Sequence, residues 1–549
     1  MLQRFGYFVS TLLVVCYAQD TITRDVAVIG GGASGTYAAI ALRDANFTVA
    51  VVEKSQQLGG HTHTYTDPSS GKPVDYGVSG LGNTDTAKDY LARLGITTTV
   101  ADYGVGNFSF FDFESGEHNP FYVMQDPTAA LKRFVGQLAQ YPYLNISYDL
   151  PEDVPDDLLI PFGDFIQKHD LGDAFLPLNL WAMGFGDILE IPSLYILQRF
   201  NGGLIRAITG NGLLFPSDFN ISSIYDRAAQ ILGDDVFFGS SISAATRDAD
   251  PDGHINLTVD TGACEKTLKV KRLIVTIPPL IGNDYLGPFD LDTTEKNVFS
   301  KFKYFQYFAA AVREPAIPAG LSIQNVSPGN MSTPYFYPDF PSAYYFFKTP
   351  APDVYITAYG GLENGNLTED EARQAIEDAM QRLRNGGDYN TTTTEPFELV
   401  AFANHSPHQL HVCVDDIKAG FYKDLYALQG HLNTWWTGAA FVAHDSEKLW
   451  EYTAEVFGSP GKIDVHTHER GRKIRENVAG DTSTARKSAG SNTFPPLRRY
   501  DSHHWNTARH DTCGPDNAHP TEFPVVRSRS KSRDVVCNWS TPLAEVECI

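Results

Sequence analysis

An α/β fold with a parallel sheet at its N-terminal end is predicted by three adjoining stretches of this sequence. Asp25–Ile29 is a short β-branched run that reads as a buried parallel strand. It passes straight into Gly30-Gly31-Gly32-Ala33-Ser34-Gly35, followed by Ala-rich helical spacing from Thr36 to Asp44. Thr48–Val52 is then a second buried strand, ending at Glu53.

Each element of this βαβ unit answers a physical demand. Gly30 makes the tight turn, Gly32 lets backbone approach a pyrophosphate, and Gly35 allows close helix–strand packing. The helix start, with Ala33 and Ser34 in its first turn, offers free N–H groups and a positive dipole end to phosphates. Glu53, 18 residues after Gly35, is placed to accept hydrogen bonds from ribose hydroxyls and to repel a 2′-phosphate; Lys54 follows it. Leu58-Gly59-Gly60-His61 adds a second glycine turn, which flavoproteins use to pass the pyrophosphate, so the expected cofactor is FAD rather than NAD.

Length and composition set the frame. The chain has 549 residues, 42% hydrophobic and 12% aromatic, enough for more than one sizeable core. Its 43 Lys+Arg against 66 Asp+Glu give a net charge of -23, which repels phosphate backbones and excludes nucleic acid as a partner. From Gly461 onward the balance reverses to 14 Lys+Arg against 11 Asp+Glu. That stretch, 461–549, has no helical or strand period and reads as a disordered basic tail or a gene-model artefact. At the other end, Arg4, the apolar run Phe8–Val15 and Cys16-Tyr17-Ala18 read as a signal peptide over 1–18, leaving no stable membrane span after cleavage. Eleven N-x-S/T sequons, Asn325 among them, suit a glycosylated chain secreted or held in an endomembrane lumen. Cys264 and Cys413 are the cysteines available for one disulfide in the core of the chain. No Cys/His spacing of metal type is present, and no metal is expected.

Two segments carry a resemblance to a known family. VVEKSQQLGGHTHTY and the closing run from Leu428 through Trp435, Trp436, Thr437, Gly438, Ala439 and Phe441 to His444-Asp445-Ser446 are similar to the flavin monoamine-oxidase superfamily. They resemble most closely its fungal beta-cyclopiazonate dehydrogenase branch, over about Asp25 to Phe457. The resemblance implies a Rossmann-like FAD-binding domain (19–101, 215–290 and 401–460) interleaved with an α+β substrate domain (102–214 and 291–400). It places Ile242 near the adenine, and opens a helix at Thr437–Ala440 whose N-terminus faces the flavin. Trp435 and Trp436 would then be an aromatic wall beside the ring, with core packing as the alternative. His61 and His63 would be either covalent flavin ligands or hydrogen-bonding neighbours.

The superfamily's lysine near flavin N5 has no match here. Aligning on Arg313-Glu-Pro315 puts Tyr307 at that position, as an acid/base or a packing residue, with Lys301 and Lys303 too early. The implied activity is hydride abstraction from a hydrophobic polycyclic or prenylated substrate, an indole alkaloid or terpenoid pyrone, with oxidative ring closure. Electrons would pass to O2 or another acceptor. The alternatives are an amine or amino-acid oxidase releasing hydrogen peroxide, and an inactive flavin-fold binding protein.

Overall fold

The computed structural model describes residues 21–457, apart from 102–106, 120–121, 123, 249, 251–252, 283–284, 328–333, 387–392 and 394. The expected signal peptide and the basic tail lie outside the described residues.

The first sheet is built where the glycine pattern predicted it. Thr21–Ile29 pairs in parallel with Val49–Val52 on one side and with Glu265–Val275 on the other. Val236–Phe237 extends the parallel set beyond Val49–Val52, and Thr434–Trp436 extends it beyond Glu265–Val275. The long strand Glu265–Val275 also pairs antiparallel with Ile255–Asp260, which carries Ser241–Thr246. Alternation divides the side chains cleanly. Val26, Val28, Val49, Val51 and Ile274 pack with the helix Ala33–Asp44 and Trp450; Ala27, Ile29, Ala50, Val52, Leu273, Val275 and Trp436 join the larger core on the opposite face. Ala38, Ala39 and Ala41 are fully buried, so the helix lies close to the sheet.

The second sheet has eight strands and forms the floor of the other domain. Its centre is Lys303–Arg313, flanked by Val354–Glu363 and Glu398–Asn404, with His408–His411 paired to its first residues. Phe308, Ala310 and Val312 face the helix Glu369–Asn385, whose Thr368/Glu371 capping box fixes its start. Tyr307 and Ala311 point to the opposite face with Tyr344 and Ile356. Short helices, Phe162–Lys168, Phe175–Trp181 and Ser193–Phe200 among them, pack into the larger core. Lys448, on the helix Ser446–Phe457, is buried and donates to the carbonyls of Asn145 and Gln198 at 3.0 and 2.7 Å. None of the helices among the described residues is long and apolar enough to cross a membrane.

Four expectations are corrected. The boundaries at 214/215 and 400/401 fall inside the strands Leu213–Pro216 and Glu398–Asn404, and the second of these belongs to the eight-stranded sheet. Cys264 is a free thiol, so it makes no bridge to Cys413. The Asn325 sequon is structural: its Nδ2 donates to Ser342 Oγ and the Ala343 carbonyl, and its Oδ1 accepts from Phe113 N–H. At 3% exposure it has no room for a glycan in the folded chain. Finally, Thr437–Ala440 is a turn, and the helix begins only at Ser446.

Candidate active site

The nucleotide side is made almost entirely of backbone. Gly30 has φ of +99°, and a Cβ on Gly35 would stand 1.9 Å from the Gly30 carbonyl oxygen, so the helix reaches the turn only with glycine there. The Cα of Gly60 lies 3.7 Å from where a Gly32 Cβ would sit, so the two glycine turns face each other across a backbone-lined slot. Glu53 is oriented by two main-chain donors, Gly31 N–H on Oε2 at 2.6 Å and Ser55 N–H on Oε1 at 2.8 Å. Each carboxylate oxygen keeps a lone pair for a further donor. Gly59 N–H donates to the Gly31 carbonyl at 2.9 Å, closing the second turn onto the first.

The other predicted cofactor residues lie around this slot. Thr437 N–H donates to the Val275 carbonyl at 3.0 Å, and Thr276 Oγ1 donates to the Ile29 carbonyl at 3.0 Å. The turn bearing Gly438 and Ala439 is thereby held beside the first glycine turn. Ile242 sits at a bulge on Ser241–Thr246, with its side chain largely in the core. Lys54 is exposed, its ammonium 4.9 Å from the centre of the Tyr285 ring. Trp436 is corrected: it is fully buried, edge-on to Phe299 at 4.7 Å, and is a core residue rather than a wall of the site. Trp435, on the opposite face of the same strand, is half-buried against the core that includes Val26 and Trp450.

Next to the second glycine turn the construction changes to side chains. The His61 ring lies 4.5 Å from His405 and 5.9 Å from His444, within 13° and 4° of parallel. His63 stands 5.4 Å from His405, and His408 stands 3.9 Å from His444. Tyr307 closes the group, its ring 4.7 Å from His408 and 6.0 Å from His405. Backbone bonds set these positions. Tyr307 N–H donates to Ser406 Oγ at 3.0 Å and His405 N–H donates to the Tyr307 carbonyl at 2.9 Å. Tyr76 N–H holds the His63 carbonyl at 3.0 Å, and Asp445 pairs with Arg199 at 2.8 Å immediately before the last helix.

Burial depresses the basicity of every ring in the stack. His61 is pushed down to about 4, by desolvation first and then by His63 and Lys54. His405, His408 and His444 are held well below the ordinary histidine value by desolvation and by one another, and His63 is lowered by desolvation. At neutral pH the stack is an uncharged set of imidazoles. Nitrogens of His61, His408 and His444 lie within 4.8 Å of one another, but the rings lie face to face instead of converging on a common point.

Sequence reasoning assigned Tyr307, His61 and His63 to the site but gave His405, His408 and His444 no role. The signal available was the run His405-Ser-Pro-His408-Gln-Leu-His411, three histidines at intervals of three residues. Lys301 and Lys303 are ion-paired elsewhere, with Asp416 at 3.0 Å and Glu363 at 2.8 Å.

The cradle fits FAD. Ser34 Oγ, in the first turn of the helix, is buried without a protein partner, as expected of a donor reserved for a phosphate oxygen. The residues that would hold the cofactor are the Gly30–Gly35 turn, Glu53, Gly59 and Gly60.

Comparison with known proteins agrees with this reading. Residues 28–94 match the family model of an NAD(P)-binding Rossmann-like domain. Among solved structures, the fold is similar to the CLA-producing fatty acid isomerase of P. acnes, with a TM-score of 0.61 and 21% identity over 78% of this chain and 97% of that one. It is also similar to cyclohexylamine oxidase from Brevibacterium oxydans, with a TM-score of 0.54 and 15% identity over 82% and 99%. Such a sheet, carrying a nucleotide cradle of this kind, gives the chain an amine-oxidase-type flavoprotein fold. The beta-cyclopiazonate dehydrogenase of Aspergillus oryzae is 37% identical over 451 residues, 80% of this chain and 93% of its own length. The FAD-dependent oxidoreductase oblC of Cochliobolus heterostrophus is 34% identical over 447 residues, 80% and 91%. The chain belongs to this fungal family of beta-cyclopiazonate dehydrogenase and related FAD-dependent oxidoreductases.

Proposed function

We propose that the chain dehydrogenates a bulky, uncharged polycyclic or prenylated metabolite of fungal secondary metabolism, with closure of a ring. FAD, when bound, supplies the two-electron acceptor, and O2 is the final oxidant. One observation carries the reading: the side-chain half of the site consists of neutral imidazoles and phenols. Tyr307, Tyr344, His405 and His408 present flat, weakly polar surfaces, and Lys301 and Lys303 are committed to carboxylates. Such a surface orients a flat ring system by stacking and keeps water out of the reaction, and none of these four residues is a carboxylate that could hold a substrate ammonium. The relatives named for beta-cyclopiazonate support a polycyclic substrate.

The deciding experiment incubates purified holoenzyme in air with beta-cyclopiazonate, other prenylated indoles and terpenoid pyrones, beside a panel of primary amines and amino acids. Turnover of a polycycle to a product two hydrogens lighter supports the proposal. Peroxide released only with amines or amino acids overturns it in favour of an oxidase of that class.

Entry into the secretory route belongs to the same proposal, resting on the N-terminal apolar run and the sequons. Glycan mapping of secreted protein is expected to find occupied sites, with Asn325 unmodified.

A further inference from the structure

His408 and His444 lie ring to ring at 3.9 Å, yet the backbone gives them opposite hydrogen-bonding duties. His408 Nδ1 is 3.0 Å from the Gly184 carbonyl oxygen, which can only accept, so Nδ1 carries the proton. In the neutral ring, His408 Nε2 is then a lone pair. His444 Nε2 is 2.8 Å from the Gln409 N–H, which can only donate, so Nε2 is the acceptor. In the neutral ring, His444 Nδ1 therefore carries the proton. A hydrogen-bond acceptor and a hydrogen-bond donor stand side by side, each fixed in its tautomer by a main-chain group.

Both segments are braced against exchanging these roles. Gly184 N–H donates to Tyr344 Oη at 3.3 Å, so the carbonyl that orients His408 belongs to a turn anchored on the second sheet. A Cβ on Gly184 would fall 2.4 Å from His408 Nδ1, so the ring is seated directly against this turn. Gln409 is adjacent to His408 in the chain, so one short segment sets the proton positions of both rings.

We propose that His408 Nε2 is the base that takes the proton released on dehydrogenation, while His444 Nδ1–H holds the electronegative atom of the reacting group. The proposal rests on the dehydrogenase reading and sharpens its substrate class. The substrate carries an O–H or N–H, enolic, phenolic or indolic, conjugated to the C–H that is oxidised. In the step, the C–H bond would break with its electron pair leaving as hydride, which FAD would accept when bound. The O–H or N–H bond breaks with its proton passing to His408 Nε2, and its electron pair becomes the new π bond of the product. One hydride and one proton leave, matching a two-hydrogen oxidation.

The first test needs no substrate. Nitrogen-15 NMR of the histidine side chains in holoenzyme, assigned with His408→Gln and His444→Gln, reads the tautomers directly. Both rings are expected as the Nδ1–H tautomer with Nε2 unprotonated; an Nε2–H ring at either position overturns the proposal. The second test is flavin reduction under anaerobic conditions with the polycycle that the enzyme turns over. His408→Ala is expected to retain FAD and to slow reduction by about 10²–10⁴-fold, with partial rescue by added imidazole. Reduction at the wild-type rate overturns the assignment, as does a stoichiometric metal ion in the purified enzyme, which would make these nitrogens ligands. If only amines reduce the flavin, the dehydrogenase reading fails while the NMR result still decides the tautomers.

Discussion

The glycine cradle draws its polar groups mostly from the backbone of residues 30–60, with the side chains of Ser34 and Glu53, whereas the imidazole stack draws side chains from 61–63, 405–408 and 444. The first can be specified locally. A turn that needs φ of +99° and a helix that must touch a carbonyl admit glycine and little else, and both constraints act within six consecutive residues. The second is specified by topology. His405 and His408 arrive because Lys303–Arg313 pairs with Glu398–Asn404, which ends just before His405, and with His408–His411, and His444 arrives because Thr434–Trp436 joins the first sheet.

That difference governs what could be read before folding. The strand, glycine, helix and acid order was visible because each residue's constraint comes from near neighbours. His405, His408 and His444 were not recognised, since a histidine has no local signature until the sheets bring it to its partners. Trp436 failed for a related reason: strand alternation decides which face it takes, and its register against Leu273–Val275 sends it into the core. The start of the last helix was misplaced because Thr437–Ala440 had helix-compatible small residues but is held as a turn by bonds to Val275 and Gly438.

The contrast can be pressed by experiment. Gly35→Ala strikes the backbone half where a Cβ has no space, and should cost about 4 kcal/mol or abolish folding. Thermal unfolding and flavin content are expected to fall together; a stable, fully flavinylated variant would show that the cradle tolerates side chains after all.

The imidazole half should respond to acid instead. Its rings have folded-state values below the ordinary 6.5, so between that value and the folded value the unfolded chain binds more protons. Stability is therefore complete above about pH 6.5 and lost as pH falls toward about 4. Asp75 and Glu447, both raised to about 7 by burial, oppose this trend, so the informative quantity is a difference between variants. His405→Asn is expected to lose less stability than the parent between neutral pH and pH 5, by on the order of 2 kcal/mol, in denaturant titrations. An identical pH slope would break the contrast.

Two smaller effects return to the cradle. Glu53→Gln replaces one acceptor oxygen with a donor facing a main-chain N–H, and should weaken FAD binding about tenfold by titration of apoprotein. Lys54→Ala, at an exposed position, should change that affinity only about twofold, and less as salt is raised. An order-of-magnitude loss there would mean that this side chain, as well as the backbone, defines the nucleotide end.

The buried ammonium of Lys448 carries a consequence for traffic through the molecule. Its two acceptors are main-chain carbonyls on the far layer, and separating the layers would strand a charge that has given up its water, at a cost of several kcal/mol. A jaw-like opening between nucleotide sheet and helical layer is thereby disfavoured. Admission of a bulky ligand to the imidazoles is then expected to depend on loop movement and not on separation of the layers.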